Sequence, residues 1–379
     1  MDGALRTVPC SCLLISVTDS NGDNQLPQGV LPSVVHDLSV KTKALRCLSS
    51  FCLSQTRGVP MNAIETITSL AEAIAKLDWL ERNFFDEAEW TPHKFPFGLW
   101  FRGHSRPEPD LQPRAFRKCL PPPHDKEEGC WDETNVYEHL KLLAPSHEHT
   151  YHSPFDWLCL MQHYSVPTRL LDWSESILSA LYFAVKDDPE TDGELICLNA
   201  KHLNRRSKTR PTISTAENGH VIIRAEMATT RSLKKLKSRE SVRKALTQDP
   251  IDLDDDWLEQ CRRPIAVFPR RLNDRMVFQT SVFTLHGGKI YSPEMRRHYP
   301  RRDRIPKPIS LQQVHDENPR KPLLKRYRIP WDTKKNILND LFRLGVHEAM
   351  LFPEIDRQAA YLERLWWYQK KPKPTARDE

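Results

Sequence analysis

Glycine is scarce in this chain, with 12 among 379 residues. No GxGxxG and no GxxxxGK[ST] run occurs, which excludes the two common glycine-rich cradles for nucleotide phosphates. The nine cysteines are scattered, odd in number and form no CxxC pair. Cys10 and Cys12 are close, but no His or Cys follows at ligand spacing, so neither a disulfide framework nor a metal site is expected. Long apolar runs are missing too. Ile177–Val185 is far too short to span a bilayer. Cys12–Val17 is too short for the core of a signal peptide. The expectation is a cytoplasmic protein with no membrane partner.

Proline is abundant, at 30 residues, so much of the chain is expected in turns and extended connections. With 39% hydrophobic and 28% charged residues the chain reads as globular with a polar lean. Its 56 basic and 50 acidic residues leave a mild net +6. That charge permits a nucleotide or nucleic-acid partner without requiring one. The sum conceals two basic stretches: 201–249 holds 13 Lys/Arg against 4 Asp/Glu, and 295–328 holds 11 against 3. They read as basic insertions, and solvated surface loops are the plain alternative to a nucleic-acid-binding surface.

Residues 1–60 lack periodicity and are broken by turn signals such as Ser20-Asn21-Gly22-Asp23, so they read as a loosely structured extension. A helix is expected after Asn62, carrying Ile64, Ile67, Leu70, Ile74, Leu77 and Leu80 on one face. Short strands are expected at Phe97–Gly103, Glu194–Leu198 and His347–Phe352, a short strand or turn at Thr168–Trp173, and one long strand or a strand pair at Arg275–His286. Helices are expected at Trp131–Leu143, Phe155–Gln162, Glu175–Lys186 after a Ser174 cap, Trp331–Leu344 with Gly345 as its stop, and Asp356–Tyr368. A polar tail covers 369–379. The order mixes α and β without βαβ regularity, which predicts an α+β fold with a mixed sheet flanked by helices.

Four segments place polar and charged residues inside otherwise apolar elements, where each group needs a ligand, an internal partner or exposure. In the first, Trp100–Ser105, Arg102 is a candidate anion clamp and Gly103 allows a close approach; a structural Arg–carboxylate pair is the alternative. In the second, Met161–Trp173, His163 can serve as a base or polar clamp, and Gln162 and Thr168 can read hydroxyls or amides on a ligand. Arg169 and Asp172 can pair at i, i+3, with Asp172 helping to cap the next helix. In the third, Arg275 and Gln279 share a face whether the segment is helix or strand, because four is an even number. In the fourth, Glu348 heads an apolar strand and can present a carboxylate, while Glu354 and Asp356 serve the start of the last helix.

Together these segments resemble the FRG domain, a family named for its Phe-Arg-Gly tripeptide, here Phe101-Arg102-Gly103. The family's Gln-His-Tyr-Gly-x-Pro-Thr-Arg-Leu-Leu-Asp-Trp-[Thr/Ser] run and its Ala-Leu-Tyr-Phe-Ala continuation are matched by Gln162–Ser174 and Ala180–Ala184, with Ser165 in place of the usual glycine. Arg275–Phe283 and Leu351–Pro353 also fit, so the resemblance spans about Ile64 to Leu365 within a domain at 61–368. It implies an effector of a bacterial or phage conflict system. A weaker analogy is to ADP-ribosyltransferases, which bind NAD without a glycine-rich loop and use a [His/Arg]-Gly-x-[Ser/Thr] strand, a Tyr or Ser segment and a strand-borne Glu. Arg102-Gly103-His104-Ser105, Tyr182 and Glu348 occur in that order. The resulting catalytic candidates are Arg102, Gln162, His163 and Glu348. The substrate-binding candidates are Gly103, Ser105, Thr168, Arg169, Tyr182, Arg275 and Gln279. No cofactor is implied beyond NAD as a substrate, and a protein partner through the extension is a further expectation. The competing readings are a nucleic-acid-binding or nucleic-acid-processing module, and a non-catalytic sensor in which the motifs only hold the fold.

Overall fold

A computed structural model describes residues 64–84, 98–108, 110–117, 131–147, 149–209, 212–248 and 257–366. Asn62, the N-terminal extension and the polar tail lie outside the described residues. The strands are β1 (Glu65–Thr66), β2 (Leu99–His104), β3 (Leu170–Ser174), β4 (Gly193–Asn199), β5 (Ser214–Thr215), β6 (Ile265–Phe268), β7 (Ser281–Leu285) and β8 (Leu324–Ile329). They form one mixed sheet in the order β1-β8-β4-β2-β3-β7-β6-β5, antiparallel except for the parallel edge pairs β1–β8 and β5–β6. The helices in the first half are α1 (Leu70–Phe84), α2 (Glu133–Leu143), α3 (Pro154–His163), α4 (Ile177–Val185), α5 (Ala200–Arg206) and α6 (Gly219–Glu226). Then come α7 (Leu233–Ser238), α8 (Glu240–Gln248), α9 (Trp257–Cys261), α10 (Asp274–Phe278) and α11 (Pro293–His298). The last are α12 (Leu311–Asp316), α13 (Lys334–Arg343), α14 (Glu348–Leu351) and α15 (Ile355–Trp366). The α+β expectation holds.

Strand parity sorts the core. Leu99 and Phe101 of β2, Leu195 and Cys197 of β4, and Tyr327 and Ile329 of β8 pack with α1, α4 and α13 in one apolar cluster. Leu170 of β3, Phe283 and Leu285 of β7, and Ile265 and Val267 of β6 pack with α3 and α6 in a second. Phe101 faces Ser174 in register, so both clusters lie on the same face of the sheet. The opposite face is continuous: Trp100, Leu171, Trp173, Ile196, Val282 and Ala266 share one cluster across both halves. One face of the sheet thus carries two half-cores with a seam between β2 and β3.

Several local expectations are corrected. The first long helix starts at Leu70 behind Ser69, whose hydroxyl accepts from the Glu72 N–H at 3.2 Å. The β-branched run Ile64, Thr66, Ile67 prefers an extended edge strand. Ser176, not Ser174, caps α4. Arg275–His286 is not all strand: Asn273 caps the short helix α10, and Thr280, with φ +46°, turns the chain into β7. His347–Phe352 is a single helical turn rather than a strand, an ambiguity that periodicity cannot resolve in a run this short. The basic stretch 201–249 is not a solvated loop. It contains most of α5 and all of α6, α7 and α8, and packs a satellite core of Ile223, Met227, Leu236 and Val242. Gly345 does end a helix, at φ +80° just past α13.

Beneath the second half-core lies a buried cationic framework. Arg169 is fully buried, and its guanidinium grips Glu133 at 2.6 Å while donating to the carbonyls of Arg224, His286 and Gly288. Arg224 is equally buried and donates to the carbonyls of His220, Gln260 and Arg263. The pairing expected between Arg169 and Asp172 does not form: Arg169, just before β3, is held by Glu133, while the Asp172 carboxylate on β3 is held by Gln162. Lys289 is buried beside them, with Nζ donating to Thr134 Oγ1 at 2.5 Å and the Met227 carbonyl at 3.1 Å. Burial and the neighbouring Arg169 push its ammonium down from 10.5 to about 7.

The sign of that shift fixes a pH dependence. Between the lowered folded value and the ordinary one, the unfolded chain binds more protons than the folded one, so stability climbs as pH rises. Unfolding by urea between pH 7 and about 9.5 should show a gain on the order of 2 kcal/mol that Lys289→Met abolishes. A second expectation concerns Gly103. A Cβ there would sit 1.7 Å from the Ala180 carbonyl oxygen of α4. Gly103→Ala should cost at least about 3 kcal/mol, read as a lowered midpoint or as insoluble protein.

Candidate functional site

The seam between the half-cores is where β2 and β3 part. They pair only at Phe101–Ser174, while β2 continues to His104 alongside β4 and β3 runs back to Leu170 alongside β7. The three residues of the tripeptide divide the work of building this gap. Phe101 enters the first half-core. Gly103 lets α4 lie directly on the strand. Arg102 reaches across, donating Nη1 to the Asp172 carbonyl on β3 at 3.0 Å and pairing with Glu108 at 3.1 Å. Glu108 is itself buried and also bound by Arg117. The guanidinium expected as an anion clamp is therefore engaged with protein on both sides.

Into this seam projects the Asp172 carboxylate. Its parity places it on the face of Leu170 and Ser174, between the half-cores. The side chain is accessible to solvent yet lies deep among protein atoms. Desolvation raises it above the ordinary aspartate value, against the opposing pull of the Arg102 charge and of a hydrogen bond from Gln162. That bond, from Gln162 Nε2 to Asp172 Oδ2, is 2.6 Å long. Gln162 Oε1 in turn accepts from the Thr168 hydroxyl at 2.5 Å, which fixes which way the amide points. Arg102 bonds the main-chain oxygen rather than the carboxylate, so the carboxylate itself keeps lone pairs for a ligand.

The next residue on α3, His163, opens a second group. Its Nε2 lies 3.5 Å from Glu354, and its Nδ1 is buried with no hydrogen-bond partner. Desolvation, then the charge of Arg275, lowers its basicity below the ordinary histidine value. Arg275 sits 2.7 Å from the same Glu354, donates to the His163 carbonyl at 3.1 Å and stacks over Phe352 at 4.9 Å. Gln279 donates to the Leu351 carbonyl at 3.0 Å and accepts from the Ser174 hydroxyl at 2.7 Å. The shared face expected for Arg275 and Gln279 exists, and it meets the Leu351–Glu354 segment.

The four segments thus converge, through Gln162 and His163 on one side of α3's end and through Ser174 and Gln279 on the other. The remaining candidates sit apart from this group. Ser105 donates to Asp188 at 2.9 Å, and Arg106 joins it at 2.6 Å, which holds the Asp188 carboxyl down at about 2. Tyr182 is core, packed edge-on against Phe183. Glu348 lies on the helical turn α14 and pairs with Arg364 at 2.5 Å. Arg169 is enclosed in the interior with Glu133. In sequence Asp172 reads only as a cap and as a partner of Arg169. The signal that could have found it is strand parity, since an aspartate alternating with Leu171 and Trp173 must face away from their core.

Backbone strain marks the same region. Among the described residues, four non-glycines have positive φ, and two of them, Ser165 and Thr280, lie within the converging segments. Ser165 holds φ +60° while its N–H reaches the Gln162 carbonyl. No helix among the described residues is long and apolar enough to cross a membrane. Cys159, Cys197 and Cys261 are buried free thiols. Among the described residues no cluster of His, Cys, Asp and Glu suited to a metal is found.

Fold and site define an α+β protein with a carboxylate-centred seam in one mixed sheet. Residues 98–193 match the family model of the FRG domain, and that stretch of the chain is an FRG domain. It supplies β2, β3, α3, α4 and the Gln162–Asp172 contact. The Arg275 and Leu351 segments lie beyond the match and join it through the contacts above. No curated protein and no solved structure matches the chain.

Ser165 occupies the position where the resemblance carries glycine, in a conformation that costs a side-chain-bearing residue about 1 kcal/mol. Ser165→Gly should therefore raise the unfolding free energy by about 0.5–1 kcal/mol in urea titration, leaving the Gln162–Asp172 contact in place.

Proposed function

We propose that this FRG-domain protein acts on NAD or a related nucleotide by ADP-ribosyl transfer, as an effector in a conflict between bacteria and phages. The observation that carries the reading is the Asp172 carboxylate, accessible in the seam and bound by an amide rather than neutralised by a direct cation contact. Breaking the bond between ribose and nicotinamide sends the bonding pair out with the nicotinamide and leaves positive charge on the ribose. A carboxylate held in a poorly solvated site stabilises that charge. In this reading Thr168 and Gln162 are positioning residues, because they aim the carboxylate without touching substrate. The acceptor, water or a target side chain, attacks the ribose carbon and passes its proton to solvent or to the Asp172 carboxylate, the accessible base in the seam. Asp172 replaces Glu348 as the working carboxylate here, since Glu348 is tied to Arg364.

A second reading is recognition without turnover. It is favoured by the engagement of Arg102, Arg169 and Arg275 with protein groups, which makes all three structural. Nicotinamide release and thermal shift in the presence of NAD separate the two. Turnover predicts release by the wild type and a loss of about 100-fold in Asp172→Asn. The rate should also fall as pH drops through a value above 3.8, where desolvation makes the Asp172 carboxylate take a proton sooner than an ordinary aspartate. Release that is unchanged in Asp172→Asn would overturn the assignment. A thermal shift without release would leave recognition alone standing, and neither signal would remove NAD as the ligand.

A further inference from the structure

The two basic stretches are separated by the 45 residues 250–294 in sequence but meet in space. Asp303 Oδ1 accepts from the Ser232 hydroxyl and from the Lys234 N–H, each at 2.9 Å. Tyr291 reinforces the junction, donating its hydroxyl to the Arg231 carbonyl at 2.6 Å and accepting from the Ile305 N–H at 2.8 Å. On one side of this junction α7 exposes Lys234 and Lys235. On the other, α11 and the turn after it expose Arg296, Arg297, Arg301 and Arg302. Among the described residues none of these six side chains is in an ion pair. The only acidic residues in 231–238 and 291–304 are Glu294 and the already engaged Asp303. Six cations held on helices beside one another, with a single exposed carboxylate, form a strongly positive surface.

We infer that this surface binds the phosphate backbone of a double-stranded nucleic acid, without reading its sequence. Three observations select that partner. The surface exposes no large apolar side chain at 229–248 or 291–307, which a membrane-inserting face would need. Apart from the single His298 imidazole it exposes no aromatic ring on which unpaired bases could stack, since Tyr291 and Tyr299 lie 6.3 Å apart and are not exposed. Four of the six cations are arginines, whose planar fork matches phosphate oxygens. A duplex presents such phosphates along a rigid rod, and the arginines here are mounted on short rigid elements rather than on a flexible tail. The surface does not involve Asp172 or its partners, so the inference stands independently of the NAD reading.

The test uses the full chain and fluorescence anisotropy with labelled duplex DNA, duplex RNA and single-stranded DNA of about 20 nucleotides, and anionic vesicles as a fourth arm. The wild type should bind at least one duplex at about 50 mM salt more tightly than the single strand or the vesicles, and lose affinity steeply as salt rises. The triple variant Arg297→Ala/Arg301→Ala/Arg302→Ala should lose about tenfold or more, with the slope of log affinity against log salt reduced by about 2.7 on DNA. A charge-matched triple on other exposed residues, Lys335→Ala/Arg343→Ala/Arg357→Ala, should change affinity less than about twofold. Asp172→Asn should bind as the wild type does. No duplex binding, tighter binding to vesicles or single strands, or an equal loss in the two triples would overturn the inference. The DNA and RNA arms identify which duplex is preferred.

Discussion

The hydrogen bond from Arg102 to the Asp172 carbonyl is the contact on which the site depends. It spans the place where β2 and β3 stop pairing, and a gap in a sheet otherwise leaves main-chain groups without partners. The guanidinium supplies the missing donor, and its own charge is met by buried Glu108. Because the gap is closed by a side chain rather than by ladder hydrogen bonds, one face of the sheet divides into two half-cores while the other stays continuous. Asp172 is left in the division. The tripeptide therefore reads as three structural instructions in successive residues: pack, bridge, and let the helix approach.

Arginine has a consistent role in this fold, as an internal organiser. Arg102, Arg169, Arg224 and Arg275 each bind several main-chain carbonyls or a carboxylate from distant segments. Removing one partner of such a buried pair typically costs about 3–5 kcal/mol, because the remaining charge is stranded. These groups explain how a glycine-poor, proline-rich chain with many irregular connections holds a defined shape. The charge accessible in the seam is instead a carboxylate, aimed by an amide and a hydroxyl, and its chemistry is that of stabilising positive charge rather than gripping an anion. A cluster of exposed cations lies elsewhere, on the surface around Asp303.

The elements that could be read from the sequence are those whose signals are local. Ser153-Pro154 with Asp156 makes a capping box that starts α3, and the apolar run Ile177–Val185 makes α4. Leu170–Ser174 and Gly193–Asn199 carry strand composition in full. The errors fall where a few residues admit two states. The Glu348–Leu351 turn and the Arg275–Phe278 helix were short apolar runs whose state depended on a cap or on the neighbouring sheet. The candidates Gln162, His163, Arg275 and Gln279 stood out in sequence because polar side chains inside apolar elements need partners. Asp172 was missed because an apparent i, i+3 partner, Arg169, stood nearby in sequence, while in the structure Glu133 holds the arginine and Gln162 the carboxylate.

Composition, punctuation and motif spacing by themselves determined the α+β class, the absence of a glycine-rich phosphate cradle, and which four segments carry unusual polar residues. Those properties follow from local rules of helix period, strand alternation and turn chemistry. What only the tertiary structure decided is which polar groups spend their hydrogen bonds on the protein and which keep them. In sequence Arg102 reads as a clamp and Arg169 as the partner of Asp172, and both are consumed by partners many residues away, Asp172 and Glu133. Partner choice is a matter of distance in space across chain separations that no local pattern encodes. For the same reason, two basic stretches that read as separate insertions became one surface only when Asp303 reached Ser232.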